Sequence, residues 1–147
     1  METIIIQLLS AFVGSLGFAL LFNNDKKTML PATFGGMFGW AVYLVFEATD
    51  IGVFLATIAA AAFCQLYSEV FSRVLKTPKT SIYITSIVPL VPGGSLYRTM
   101  YSAANSDWAM FRSYGATTLK VAFGIGIGAS FVAAILLLLP KKKKSVK

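Results

Sequence analysis

The chain has 147 residues, 56% of them apolar and only 13% charged, with a mean hydropathy of +0.73, where soluble domains carry about a quarter charged residues. Those proportions exclude a water-soluble globular enzyme. The formal charge of +7 does not point to nucleic acid, because the thirteen Lys and Arg residues sit almost entirely in gaps between apolar runs, where basic side chains face anionic lipid headgroups.

Glu2 is followed by no charged residue until Asp25, and further charge-free runs cover 28–46, 51–68, 80–97 and 121–140. Each run holds 18 to 22 residues, and a helix needs about 20 apolar residues to cross roughly 30 Å of hydrocarbon. The expectation is an all-α polytopic membrane protein, a single membrane domain over 1–147. It has about five transmembrane helices, over 4–22, 29–46, 51–70, 81–104 and 117–139, and a basic tail over 141–147.

The first segment carries Ser10, Gly14 and Gly17 and ends in the polar turn Asn23, Asn24, Asp25. It opens on acidic Glu2 without a basic leader, so it is expected to stay as a helix and not to act as a removable signal. The second opens with Pro31, placed in the first turn where a missing N–H costs nothing, and carries Gly35 and Gly39. The third holds the alanine run Ala59 to Ala62, the lone Cys64, and Glu69 near its end. Two roles are open to Glu69: proton coupling, or an ion pair with Arg73 at i,i+4. Between the fourth and fifth segments, Trp108, Phe111 and Tyr114 recur at three-residue spacing. They read as a short helix at the outer interface, with Asn105 or Ser106 as N-cap and Asp107 in the first turn.

The fifth segment places Gly124 and Gly128 four apart. With Gly35 and Gly39 these are helix-packing positions, since small residues let helix backbones approach closely in lipid. Small-residue faces on at least three helices exceed what one short chain satisfies by itself, which favours a partner or a homo-oligomer.

Charge parity sets the orientation. Lys26 and Lys27, then Arg73, Lys76 and Lys79, then Lys141 to Lys144 and Lys147, follow the first, third and fifth runs. Five crossings put all three groups on the cytoplasmic side of a cell (inner or plasma) membrane, with the N-terminus outside and the C-terminus cytoplasmic. A fourth run that dipped in and returned would violate one of these signals. One cysteine and no histidine exclude intrachain disulfides, histidine-built zinc sites and serine–histidine pairs. No metal and no cofactor are expected.

The fourth run, SIYITSIVPLVPGGSLYRTMYSAA from Ser81 to Ala104, carries the functional information. Pro89 and Pro92 each remove a backbone hydrogen bond and Gly93-Gly94 follows, so the helix breaks at Pro92-Gly93-Gly94, into halves over 81–91 and 95–104. Irregular backbone at bilayer depth is tolerated where protein buries it or where it lines a wet cavity, and a half-helix N-terminus there can meet an anionic group. The amides of Gly93, Gly94 and Ser95, with the Ser95 hydroxyl as a further donor, are the candidate substrate-binding groups. Arg98 either faces the same cavity or snorkels to the outer headgroups. A proline kink used only for packing is the alternative for the break itself.

The stretch PLVPGGSLYRTMY, Pro89 to Tyr101, resembles the threonine/serine exporter family, specifically the small subunit of its two-gene members. YGATTLKVAFGIGIG, Tyr114 to Gly128, resembles the segment that follows in that family. Fused members look like about ten helices in two unlike halves, and five helices here match the C-terminal half. The resemblance implies a secondary exporter of small amino acids such as threonine and serine, driven by the proton motive force, or of succinate in some split systems. It also implies a larger membrane subunit as partner. Pro92, Gly93, Gly94 and Tyr97 carry over as motif positions; an anion role for Arg98 rests on the local reading alone. The competing class is a non-transporting membrane scaffold. An enzyme comes third, for want of histidine and paired carboxylates.

Overall fold

The computed structural model describes residues 2–138; the basic tail expected over 141–147 lies outside the described residues. Within them the protein is all-helical, in the order α1 (Glu2–Leu21), α2 (Lys26–Glu47), α3 (Val53–Leu75), α4 (Lys79–Ile87), a 3₁₀ turn (Val88–Leu90), α5 (Gly93–Ala104) and α6 (Trp108–Leu138). Four helices, α1, α2, α3 and α6, are long and apolar enough to cross a membrane. The fourth run is the broken element between α3 and α6.

Helix ends follow local chemistry. Asn23 adopts φ 50°, which lets the Asn24 amide reach back to the Ala19 carbonyl at 3.0 Å and the Asn23 amide to Leu20 at 3.0 Å; this left-handed closure satisfies carbonyls that the last turn leaves free. Ser106 (φ 57°) closes α5 in the same way, with the Asp107 amide on Ser102 at 2.9 Å. The Asn24 side chain then donates to the Ser81 carbonyl at 3.1 Å and to the Thr85 hydroxyl at 3.0 Å, tying the α1–α2 turn to α4.

The interior is built from small residues. Ala19, Ala32, Ala56, Ala60, Ala61 and Cys64 are fully buried, and Ile82 is the largest side chain with no exposure, while leucines and phenylalanines along every spanning helix point outward. Lipid tails are as apolar as leucine, so close packing of small side chains holds such helices together, not the hydrophobic drive that fills a soluble core. A Cβ at Gly35 would strike Ser86 and Tyr67, one at Gly36 would strike Ser15, and one at Gly39 would strike Cys64. On α6, a Cβ at Gly124 would sit 3.0 Å from the Thr57 Cβ, and one at Gly128 would strike the Ile58 carbonyl. All four glycines singled out from the sequence therefore face neighbours within the chain. The glycines that meet open space on α1 and α6 are Gly14, Gly17 and Gly126.

These contacts also give direction. Gly124 lies against Thr57 and Gly128 against Ile58 and Ala61, so α6 runs parallel to α3. Lys79 pairs with Glu69, while the Cys64 thiol reaches the Ser86 carbonyl at 3.6 Å, so α4 runs antiparallel to α3. The chain thus leaves α3 at its Leu75 end and returns along it through α4 and the 3₁₀ turn, so that Pro92 to Ser95 share a space with Val53 and Thr57; α5 then packs chiefly on α6, with Arg98 on Tyr114 and Thr99 beside Thr118.

Three expectations are corrected. No separate interfacial helix precedes the last segment: Trp108 to Leu138 is one helix of 31 residues, about 46 Å long, because nothing between Phe111 and Thr117 breaks it. Its N-cap is Asp107, whose Oδ1 accepts the Met110 amide at 3.1 Å, and not Asn105 or Ser106. Pro31 lies inside α2, which begins five residues earlier at Lys26; its carbonyl accepts the Tyr67 hydroxyl at 2.9 Å.

Candidate functional site

The break begins before the glycines. Pro89 has no N–H to offer the Thr85 carbonyl, and the Val88 amide takes it instead, tightening α4 into the 3₁₀ turn. The Val91 amide closes on Val88 at 3.1 Å. Preceding Pro92, Val91 is held extended at φ −62°, ψ 128°, as the proline ring requires of its neighbour. Gly93 and Gly94 are the first two residues of α5, so the interruption is Val88 to Pro92 and the glycines start the second half-helix.

This arrangement decides which amides are free. The Gly93 amide is engaged by the Val91 carbonyl at 2.7 Å, and the first α5 bond runs from Leu96 to Pro92 at 2.9 Å. Between them the Gly94 and Ser95 amides have no hydrogen-bond partner among the described residues. The Ser95 hydroxyl donates to the Pro92 carbonyl at 3.2 Å, which leaves its oxygen as an acceptor and not the further donor expected from sequence. Both free amides carry the positive end of the α5 dipole.

Pro92, Gly93, Gly94 and Ser95 line a cavity of about 230 Å³. Facing them are Trp40 and Tyr43 of α2, whose rings stack at 4.9 Å, with Val53 and Thr57 from α3 and Thr117 and Val121 from α6. The lining contains no Lys, Arg, Asp or Glu. The Thr57 hydroxyl donates to Val53 at 2.7 Å and the Thr117 hydroxyl to Ser113 at 3.1 Å. Each hydroxyl proton is therefore spent on its own helix, and the oxygens present lone pairs.

Three of the sequence-derived candidates, Tyr97, Arg98 and Glu69, lie elsewhere. Tyr97 is 69% exposed and stacks on Tyr101 at 6.2 Å. Arg98 donates to the Tyr114 hydroxyl at 3.3 Å and sits 5.4 Å from the centroid of that ring. Neither lines the cavity. Glu69 accepts from Arg73 at 2.9 Å and from Lys79 at 3.5 Å, clasping α3 to the start of α4. It lies twelve residues along α3 from Thr57, about 18 Å.

The family described as Threonine/Serine exporter, ThrE, matches residues 7–135, a span that takes in the break and every residue of the cavity wall. The chain belongs to the threonine/serine exporter family. Neither a curated protein nor a solved structure matches it. It is a multi-pass membrane protein of an export family, consistent with a role other than catalysis.

For this family member, sequence reasoning found the half of the cavity that lies on the broken segment and missed the opposite wall. Trp40 and Tyr43 carried a signal, two polar-tipped aromatics three residues apart, in an otherwise apolar run. Thr57 and Thr117 carried almost none, since isolated threonines are common in membrane helices and only their convergence on one space distinguishes them.

Proposed function

We propose that this chain is a five-crossing inner-membrane subunit of a small-amino-acid exporter, its N-terminus outside, and that the cavity at the α4–α5 break holds a zwitterion such as threonine or serine. The carrying observation is the inventory of polar groups: two unpaired amides at a helix N-terminus on one side, and hydroxyl lone pairs beside stacked aromatic faces on the other. A carboxylate suits the amides of Gly94 and Ser95. An ammonium suits the oxygens of Thr57, Thr117 and Ser95 and the faces of Trp40 and Tyr43.

A dicarboxylate such as succinate fits this wall less well. Its second carboxylate meets no donor, and each missing hydrogen bond to a charged group costs about 1.5–3 kcal/mol. The cavity also has room for a solute of this size: 230 Å³ is on the order of eight water-sized groups, and threonine's bonded atoms pack more tightly than separate waters. A larger membrane subunit of the same exporter completes the pathway in this reading, and the proton motive force drives it. Glu69 is the acidic residue proposed for proton coupling, acting through the Arg73 and Lys79 pairs and without contact to the solute.

The test is efflux from cells loaded with a threonine-containing dipeptide, with and without this chain and with the partner intact. Loss of threonine and serine efflux, uncompeted by succinate, is the expected result. Succinate export without threonine export overturns the zwitterion reading. Undiminished efflux of both solutes in the deletion points to the non-transporting scaffold instead.

A further inference from the structure

A second cavity, of about 300 Å³, lies against the first. It is formed by Ile6, Gln7, Ser10 and Ala11 of α1, together with Trp40 and Pro89. Trp40 and Pro89 are the residues common to both linings. Pro89 is part of the main-chain break itself, so the indole of Trp40 is the removable part of the wall between the two spaces.

Two contacts hold that indole. Its Nε1–H donates to Gln7 Oε1 at 3.3 Å, and its face stacks on Tyr43 at 4.9 Å with an interplanar angle of 22°. Gln7 carries an amide side chain in a largely apolar run, where a polar group is costly unless it is paired. Its hydrogen-bond partner, Trp40, lies 33 positions away in sequence. A single neutral hydrogen bond of this length orients a ring without locking it.

We infer that Trp40 is the size-determining residue of the export site and that Gln7 is its positioning residue, holding the indole as a partition that keeps the cavity small enough for threonine. This rests on the reading of the cavity as the solute site. With the indole in place, it stands between a space of about 230 Å³ and one of about 300 Å³. With it removed, the two spaces join and a longer side chain can extend from the first into the second.

Trp40→Ala is therefore expected to raise efflux of leucine or phenylalanine relative to threonine by about tenfold, the scale on which a hydrophobic pocket discriminates side-chain size. Trp40→Phe, which keeps a ring but loses the hydrogen bond to Gln7, is expected to give a ratio between those of the wild type and Trp40→Ala. A purely structural role for Trp40 would lower all solutes together, and an unchanged ratio in well-inserted Trp40→Ala overturns the size-determining role.

Positioning by Gln7 is read separately and without transport. In Trp108→Phe protein reconstituted in lipid vesicles, Trp40 is the remaining tryptophan of the two. Adding Gln7→Leu should raise its quenching by acrylamide, since loss of one neutral hydrogen bond shifts the ring's populations by roughly two- to tenfold. Unchanged quenching overturns the positioning role. Should the wild-type protein export no amino acid while quenching still responds to Gln7→Leu, the solute reading fails and takes the size claim with it, while the partition stands.

Discussion

Replacing Gly94 with leucine separates occupation of the cavity from damage to the fold. A Cβ at Gly94 meets nothing within 4 Å, and Gly94 is the second residue of α5, where no packed neighbour has to move. In the first turn the exchange of glycine for leucine changes helix propensity by less than the roughly 1 kcal/mol of a helix interior, so the variant should insert and fold about as well as the wild type. Transport is another matter. The cavity measures about 230 Å³, on the order of eight water-sized groups, and the four carbons of the leucine side chain take up about half of it. The residual space no longer admits threonine, and misfit on this scale lowers efflux by about a hundredfold. The assay is counterflow of labelled threonine in membranes containing the partner, normalised to the amount of Gly94→Leu protein inserted. Wild-type counterflow from a normally inserted variant would refute the placement of the solute at the break.

Glycines on the packed faces should behave oppositely. Gly128→Ala drives a Cβ into the Ile58 carbonyl and is expected to lower the stability of the α3–α6 pair by about 1–3 kcal/mol, seen as a lower thermal aggregation temperature in detergent, whereas Gly17→Ala, with open space around it, should gain about 0.5–1 kcal/mol. Glu69→Gln removes the clasp to Arg73 and Lys79, worth about 0.2–1 kcal/mol as a surface ion pair; if its carboxylate also couples protons, threonine efflux in the variant loses its dependence on an imposed pH gradient, and retained dependence limits Glu69 to the clasp. Orientation is read with single cysteines: an impermeant maleimide should label Thr49→Cys in intact cells and Lys26→Cys only after permeabilisation, over a low background because Cys64 is fully buried. The reverse pattern would invert the topology.

Much of this protein is legible in its primary structure because the bilayer imposes so few solutions. Charge-free runs near the hydrocarbon thickness must be helices, and Pro89 and Pro92 must interrupt one of them; these constraints are local and need no knowledge of neighbours. Local reasoning also erred locally. It carried the interruption from Pro92 onto Gly93 and Gly94, because glycine is a poor helix former, yet both glycines sit in the first turn of α5, where that weakness costs little. It also gave Trp108 to Tyr114 a helix of their own, because a change of composition is not a change of backbone.

What no local pattern contains is which side chains from distant runs share a space. Trp40, Thr57 and Thr117 share a cavity with Gly94 and Ser95 because Gly124 and Gly128 draw α6 parallel onto α3, and because α4 seats Ser86 beside Gly35 while α3 seats Cys64 beside Gly39. The same packing turns Arg98 toward Tyr114 and leaves the cavity lining without a cationic side chain. Those outcomes are set by close contact among small residues far apart in the chain, a property of paired surfaces, and for that reason they became visible only once the helices were assembled.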